Sequence, residues 1–127
     1  MVELSISGGE LNKGTGSFLS SADVVLKMDG GDLYDDKKVR KRNRVGTWDD
    51  EYLYDGGFAR KRNRVGTWDD EYLYEGDFAR KRNRVATWDD EYLYDGDFAR
   101  KRNRLMEVQD ATETEIKVLG LAYLSLL

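Results

Sequence analysis

The chain has 127 residues, 39% hydrophobic and 36% charged, with 21 Lys and Arg against 25 Asp and Glu for a formal net charge of −4. That length suits one domain with a real core, and the 12% aromatic content argues for packed structure rather than disorder. The absence of Cys and His excludes a disulfide frame, a thiolate metal site and histidine acid–base chemistry, and the acidic balance gives no general attraction to polyanions.

In chain order, "VELSISGGEL" (2–11) alternates like a strand, a Gly/Ser/Thr-rich loop covers 12–22, and "DVVLKMDGG" (23–31) alternates again. Residues 41–60, 61–80 and 81–100 are then three 20-residue units that differ only at Gly46/Gly66/Ala86, Asp55/Glu75/Asp95 and Gly57/Asp77/Asp97. Such identity, kept even at charged positions, points to very recent copying or to design, and design is favoured. Within a unit, "TWDDEYLY" (47–54) reads as a strand followed by a "DGG" turn, and "FARKRNRV" (58–65) as its partner before a weaker turn at "VGT". "RLMEVQDA" (104–111) and "KVLGLAYLSLL" (117–127) close the chain as strands. The whole is expected to be one all-β domain, an antiparallel β-sandwich or an extended β-meander built from 20-residue hairpin repeats. It divides into N-terminal strands (1–40), the repeats (41–100) and C-terminal strands (101–127).

This reading gives the charges a structural role. "RKRNR" alone matches a nucleic-acid or localisation patch. As a strand between acidic neighbours it is neutralised, since unit 41–60 sets Lys41, Arg42, Arg44 and Arg60 against Asp49, Asp50, Glu51 and Asp55, and opposite charges across strands contribute roughly 0.2–1 kcal/mol per pair. A three-residue loop at 55–57 would pair Glu51 with Lys61 and Asp50 with Arg62, and would place Trp48, Tyr52, Tyr54 and Phe58 beside arginines for cation–π stacking. A two-residue Asp-Gly turn would instead pair Glu51 with Arg60, Asp50 with Lys61 and Asp49 with Arg62. The cross-strand salt bridge is therefore favoured, and nucleic acid is not the expected partner.

Taken in order, these segments resemble the C2 domain, a calcium- and lipid-binding β-sandwich family. "SADVVLKMDG" (21–30) is similar to that family's strand entry, "KKVRKRNRVGTWDDEYLY" (37–54) to its basic strand and following aromatic strand, and "LMEVQD" (105–110) with "VLGLAYLSLL" to its closing segments. The resemblance implies a sandwich with one strand–turn–strand piece multiplied. Of the family's calcium-loop aspartates only Asp23 and Asp110 have counterparts. Calcium needs six or more oxygen ligands, so neither a metal nor a cofactor is expected. The resemblance also implies an anion-binding strand at Lys37, Lys38, Arg40, Lys41 and Arg42.

No enzyme is expected. Adjacent Asp49 and Asp50 would point to opposite faces of a strand, and no Ser has a His to activate it. No apolar run approaches the ~20 residues of a membrane span and no secretory pattern opens the chain, so a cytoplasmic or recombinant setting is expected. Two functions from different classes follow. One is a structural or self-associating scaffold, forming homo-oligomers through exposed sheet edges. The other is a calcium-independent module for anionic lipid or an acidic partner.

Overall fold

In a computed structural model, residues 4–13, 23–35, 39–89, 91–96 and 98–126 are described. Eleven strands form a closed barrel. They are β1 (Leu4–Ser7), β2 (Glu10–Lys13), β3 (Asp23–Asp29), β4 (Asp32–Tyr34), β5 (Arg44–Trp48), β6 (Tyr52–Asp55), β7 (Arg64–Trp68), β8 (Tyr72–Glu75), β9 (Arg84–Trp88), β10 (Tyr92–Asp95) and β11 (Arg104–Val108). A helix, α1 (Glu113–Leu126), follows.

The true hairpin turns fall one half-unit away from where the glycine signals place them. In β5/β6 the register is Gly46↔Asp55, Thr47↔Tyr54 and Trp48↔Leu53, so the chain reverses at Asp50–Glu51, inside the expected strand 47–54. Here the Asp49 carboxylate replaces glycine chemistry: its Oδ1 accepts the N–H groups of Glu51 and Tyr52 at 2.9 and 2.8 Å. Two earlier tips use glycine instead, with Gly8 and Gly9 (φ 58° and 78°) and Gly30 and Gly31 (φ 58° and 91°) in the left-handed region that a two-residue hairpin turn demands. "VGT" runs straight through β5, and "RKRN" is a loop ending in a short 3-10 turn, Lys41–Asn43 and its three repeats, rather than a strand. The acidic–basic strand pairing expected within the repeats is therefore not made, because its basic member is not in the sheet. A cross-strand salt bridge does occur elsewhere: Lys27 pairs with Glu10 directly opposite, at 3.2 Å.

Register with the 20-residue period shows the unit running beyond the near-identical copies. Leu11, Leu33, Leu53, Leu73 and Leu93 are equivalent, and all five are fully buried in the lumen. Five hairpins and a lone β11 make six units, the sixth lacking its second strand. First strands all run one way and second strands the other, so omitting one leaves β11 beside β1 in parallel, Leu4↔Met106 to Ile6↔Val108. Where each second strand meets the next unit, the register slips by one residue, as between Leu53 and Tyr54 against Gly66 and Arg64 and at the equivalent points of the other units. Such bulges add bend and twist, and one per unit curls the sheet until it closes. Closure overturns both the sandwich and the open meander, and with them the C2 resemblance. It also leaves each of the eleven strands paired on both sides.

The last segment, expected as a strand, is α1, and it lies inside the barrel against strands from β1 to β9. Every strand is already paired on both sides, so a chain in the apolar lumen must satisfy its own backbone hydrogen bonds, which a helix does. Ile116, Val118, Leu119, Leu121 and Ala122 are buried on several sides of the helix, as an enclosed helix requires, and the one buried charge among them, Lys117, pairs with Glu113 a turn earlier at 3.5 Å. Thr112 and Glu115 start it with a reciprocal capping box, the Thr112 N–H donating to Glu115 Oε1 at 2.8 Å and the Glu115 N–H to Thr112 Oγ1 at 3.2 Å.

Candidate functional site

The barrel has two chemically distinct ends. Hairpin tips expose Asp29, Asp49, Asp50, Glu51, Asp69, Asp70, Glu71, Asp89 and Glu91, while Glu10 at the same end is half-buried against Lys27 and Asp32 is half-buried too. At the other end, the loops entering β5, β7, β9 and β11 each expose an Arg-Lys-Arg run: 40–42, 60–62, 80–82 and 100–102. Asp35, Asp55, Glu75 and Asp95 are exposed beside them and Asp77 is half-buried against Arg64, so among the described residues these loops carry twelve exposed cations against four exposed carboxylates. A chain of net negative charge is thus strongly polarised along its axis.

Each of the last three basic loops also holds a phenylalanine out in water. Phe58, Phe78 and Phe98 are 61, 56 and 57% exposed, and Val39 is exposed in the first loop. The Phe58 carbonyl accepts the Arg60 N–H at 2.9 Å and the Asn63 Nδ2–H at 3.2 Å, and Phe78 and Phe98 are held the same way. The local hydrogen bonding fixes the loop while leaving the ring outside the core. Arg60, Arg80 and Arg100 lie over these rings at 4.9, 4.7 and 4.9 Å, so cations and aromatic faces form a single mosaic. The half-exposed end of α1 lies at this same end, where Leu124 and Ser125 share a cleft of about 400 Å³ with Arg64, Val65, Glu75, Gly76 and Val85.

The arginines that follow each loop have a different task. Arg64, Arg84 and Arg104 lie over Tyr52, Tyr72 and Tyr92 at 3.7, 3.6 and 3.9 Å. Alongside, the Tyr54, Tyr74 and Tyr94 hydroxyls donate to Asp49, Asp69 and Asp89 at 2.6, 2.5 and 2.6 Å. Burial raises the three carboxyls, but the hydroxyl, the two backbone N–H groups and the facing arginine outweigh it and hold them below the ordinary value. Tyr54 and Tyr74 are raised by burial and then by the aspartate bond, and Tyr94 by the aspartate bond first. Fixed acids, fixed tyrosines and immobilised arginines brace neighbouring units together. Arg44 makes the same point by substitution: Asp32 stands where the repeats have Tyr52, and it pairs with Arg44 at 3.9 Å.

Of the sequence-derived anion-binding residues, Arg40, Lys41 and Arg42 are exposed, in a loop rather than on a strand, and Lys37 and Lys38 lie outside the described residues. Asp23 opens β3 opposite Lys13, towards the basic end, whereas Asp110 follows β11 at the acidic end, its carbonyl accepting the Gly8 N–H. The barrel separates the two calcium candidates, and among the described residues no group of three His, Cys, Asp or Glu is placed to hold a metal. The sequence reading had the arginine–aromatic stacking but missed Phe58, Phe78 and Phe98 as exposed residues. Their only sequence mark is position, each lying in a glycine-to-arginine stretch with no apolar neighbour but Ala. No described helix is long and apolar enough to cross a membrane.

A family model described as "6-fold beta flower protein" matches residues 12–115. Its six-fold description agrees with the five hairpins and single strand counted above. No curated protein and no solved structure matches the chain.

Proposed function

The chain belongs to the 6-fold beta flower family, and on that footing we propose that it is a non-enzymatic repeat scaffold whose working surface is the basic rim, a binding face for anionic partners. The observation that carries this reading is the repeated placement of exposed Arg-Lys-Arg and Phe on hydrogen-bonded loops at one end only. Exposed cations in loops are free of the strand neighbours that were expected to neutralise them. A rigid barrel gives those loops a fixed geometry at little ordering cost. The lack of His and Cys and the commitment of Asp, Tyr and Arg to bracing contacts support a role without catalysis.

Retention on a polyanion tests this. At net charge −4 and a sequence isoelectric point near 4.9, a uniformly charged protein passes through a heparin matrix at pH 7. The polarised barrel is expected to be retained and to elute with added salt, and Lys61→Glu with Lys81→Glu and Lys101→Glu is expected to elute earlier. Passage of the unaltered chain in the void would refute the reading.

A further inference from the structure

We propose that the basic rim is a docking surface for the anionic face of a lipid bilayer, with Phe58, Phe78 and Phe98 entering the interface and the surrounding lysines and arginines meeting the headgroups. This rests on the anion-binding reading above and names the partner. Three observations select a bilayer.

First, the apolar component is wrong for a purely ionic partner. Each ring is more than half exposed and held there by two hydrogen bonds to its own carbonyl, a standing cost in water that is relieved only where the ring leaves it. Phenylalanine adds no hydrogen-bonding group with which to read a base edge or a peptide. Second, the rings lie on successive units two strands apart, roughly 10 Å along the circumference at ~4.8 Å per strand. They form an arc around a barrel end, not a file along a groove, and an arc of separate anchors fits a broad surface better than a single strand of bases. Within the arc, the half-exposed end of α1 contributes Leu124, which continues the apolar surface inward. Third, the charge is one-sided. The opposite end bears the hairpin-tip carboxylates, which an anionic leaflet repels, so only one orientation brings cations and rings to the membrane together. Juxtamembrane Lys and Arg are each drawn to an anionic leaflet within about a Debye length, and aromatic burial adds to that attraction.

The test uses the full chain with sedimented vesicles of phosphatidylcholine alone and of phosphatidylcholine with about a quarter phosphatidylserine. Binding is expected to the anionic vesicles only, and to weaken as salt rises. Phe58→Ala with Phe78→Ala and Phe98→Ala is expected to weaken partitioning on the order of tenfold per ring. These exposed side chains are not part of the core, so circular dichroism should be unchanged, and Phe78→Ala alone gives a proportionate loss if the triple variant is compromised. Glu51→Gln with Glu71→Gln, at the far end, should leave partitioning unchanged. Equal binding by the phenylalanine variants, or no binding to anionic vesicles, would overturn the proposal. In parallel, anisotropy with a single-stranded oligonucleotide and light scattering of the free protein assign the alternatives. Retention on heparin with oligonucleotide binding, or with self-association lost in the phenylalanine variants, but without vesicle binding overturns the bilayer and leaves the anion-binding rim standing. Failure on both heparin and vesicles overturns both.

Discussion

At the scale of single residues, the differences between near-identical units carry the most information. Position 46/66/86 faces α1: a Cβ on Gly66 would come within 2.5 Å of Leu121, and one on Gly46 within 2.7 Å of Leu126, whereas Ala86 is accommodated and buried. Position 57/77 complements the bracing arginine. A Cβ at Gly57 would run into the Arg44 guanidinium, which has Asp32 as its carboxylate, while Arg64 takes Asp77 at 3.9 Å. The tyrosine–aspartate pairs set the pH response. Asp49, Asp69 and Asp89 are depressed in the folded state, so their contribution is complete above the unfolded value of about 4 and is lost as pH falls through the lower folded values. Tyr54, Tyr74 and Tyr94 are raised, so theirs is complete below about 10 and is lost as pH rises through the higher folded values. Thermal melts are expected to show a plateau between those limits, and Tyr74→Phe to lower stability by about 1 kcal/mol in urea at pH 7 while shrinking the alkaline fall. An unchanged alkaline fall would refute the assignment.

At the scale of elements, the helix decides which residues the barrel tolerates. Gly120 costs about 1 kcal/mol of helix propensity relative to Ala, yet a Cβ there would strike Leu93. The helix enters at the acidic end, where Glu115 reaches Gly9, and ends near the basic rim, so its positive pole lies among carboxylates and its negative pole among cations, both favourable. Gly66→Ala is expected to destabilise by about 1–3 kcal/mol through overpacking, and Leu121→Ala by about 2–5 kcal/mol through loss of lumen contacts. Combined, the two should cost less than their sum, because the truncated leucine makes room for the new methyl. Strict additivity in chemical denaturation would show that Leu121 does not lie against β7. This helix was partly legible. "TETE" at 112–115 is a capping-box pattern before an apolar run, but the run's β-compatible residues and its place after a strand favoured another strand.

At the scale of the molecule, closure sets the unit number. Barrel diameter grows with strand number, and eleven strands enclose one helix. Removal of residues 61–80 takes away two strands and the lumen's Leu73 and Gly66 together, leaving too small a ring for α1. The expected products are an unfolded chain or a strand-exchanged oligomer, seen by light scattering and far-UV circular dichroism; a folded monomer with its helix intact would count against the tight fit. By itself, the sequence determined a β-rich chain of 20-residue units, strands read at 23–31 and 104–111 that the structure bounds at Asp23–Asp29 and Arg104–Val108, and arginine–aromatic stacking, because period and residue chemistry are local properties. It misplaced the turns, since Asp-capped Asp-Glu turns carry no glycine mark and the conspicuous "DGG" lies in the wide loop instead. Only the tertiary structure decided that the sheet closes, that the last segment is a helix, and that "RKRNR" is rim rather than strand. Each of those depends on where backbone hydrogen bonds find partners across the whole ring, which no short stretch of chain records.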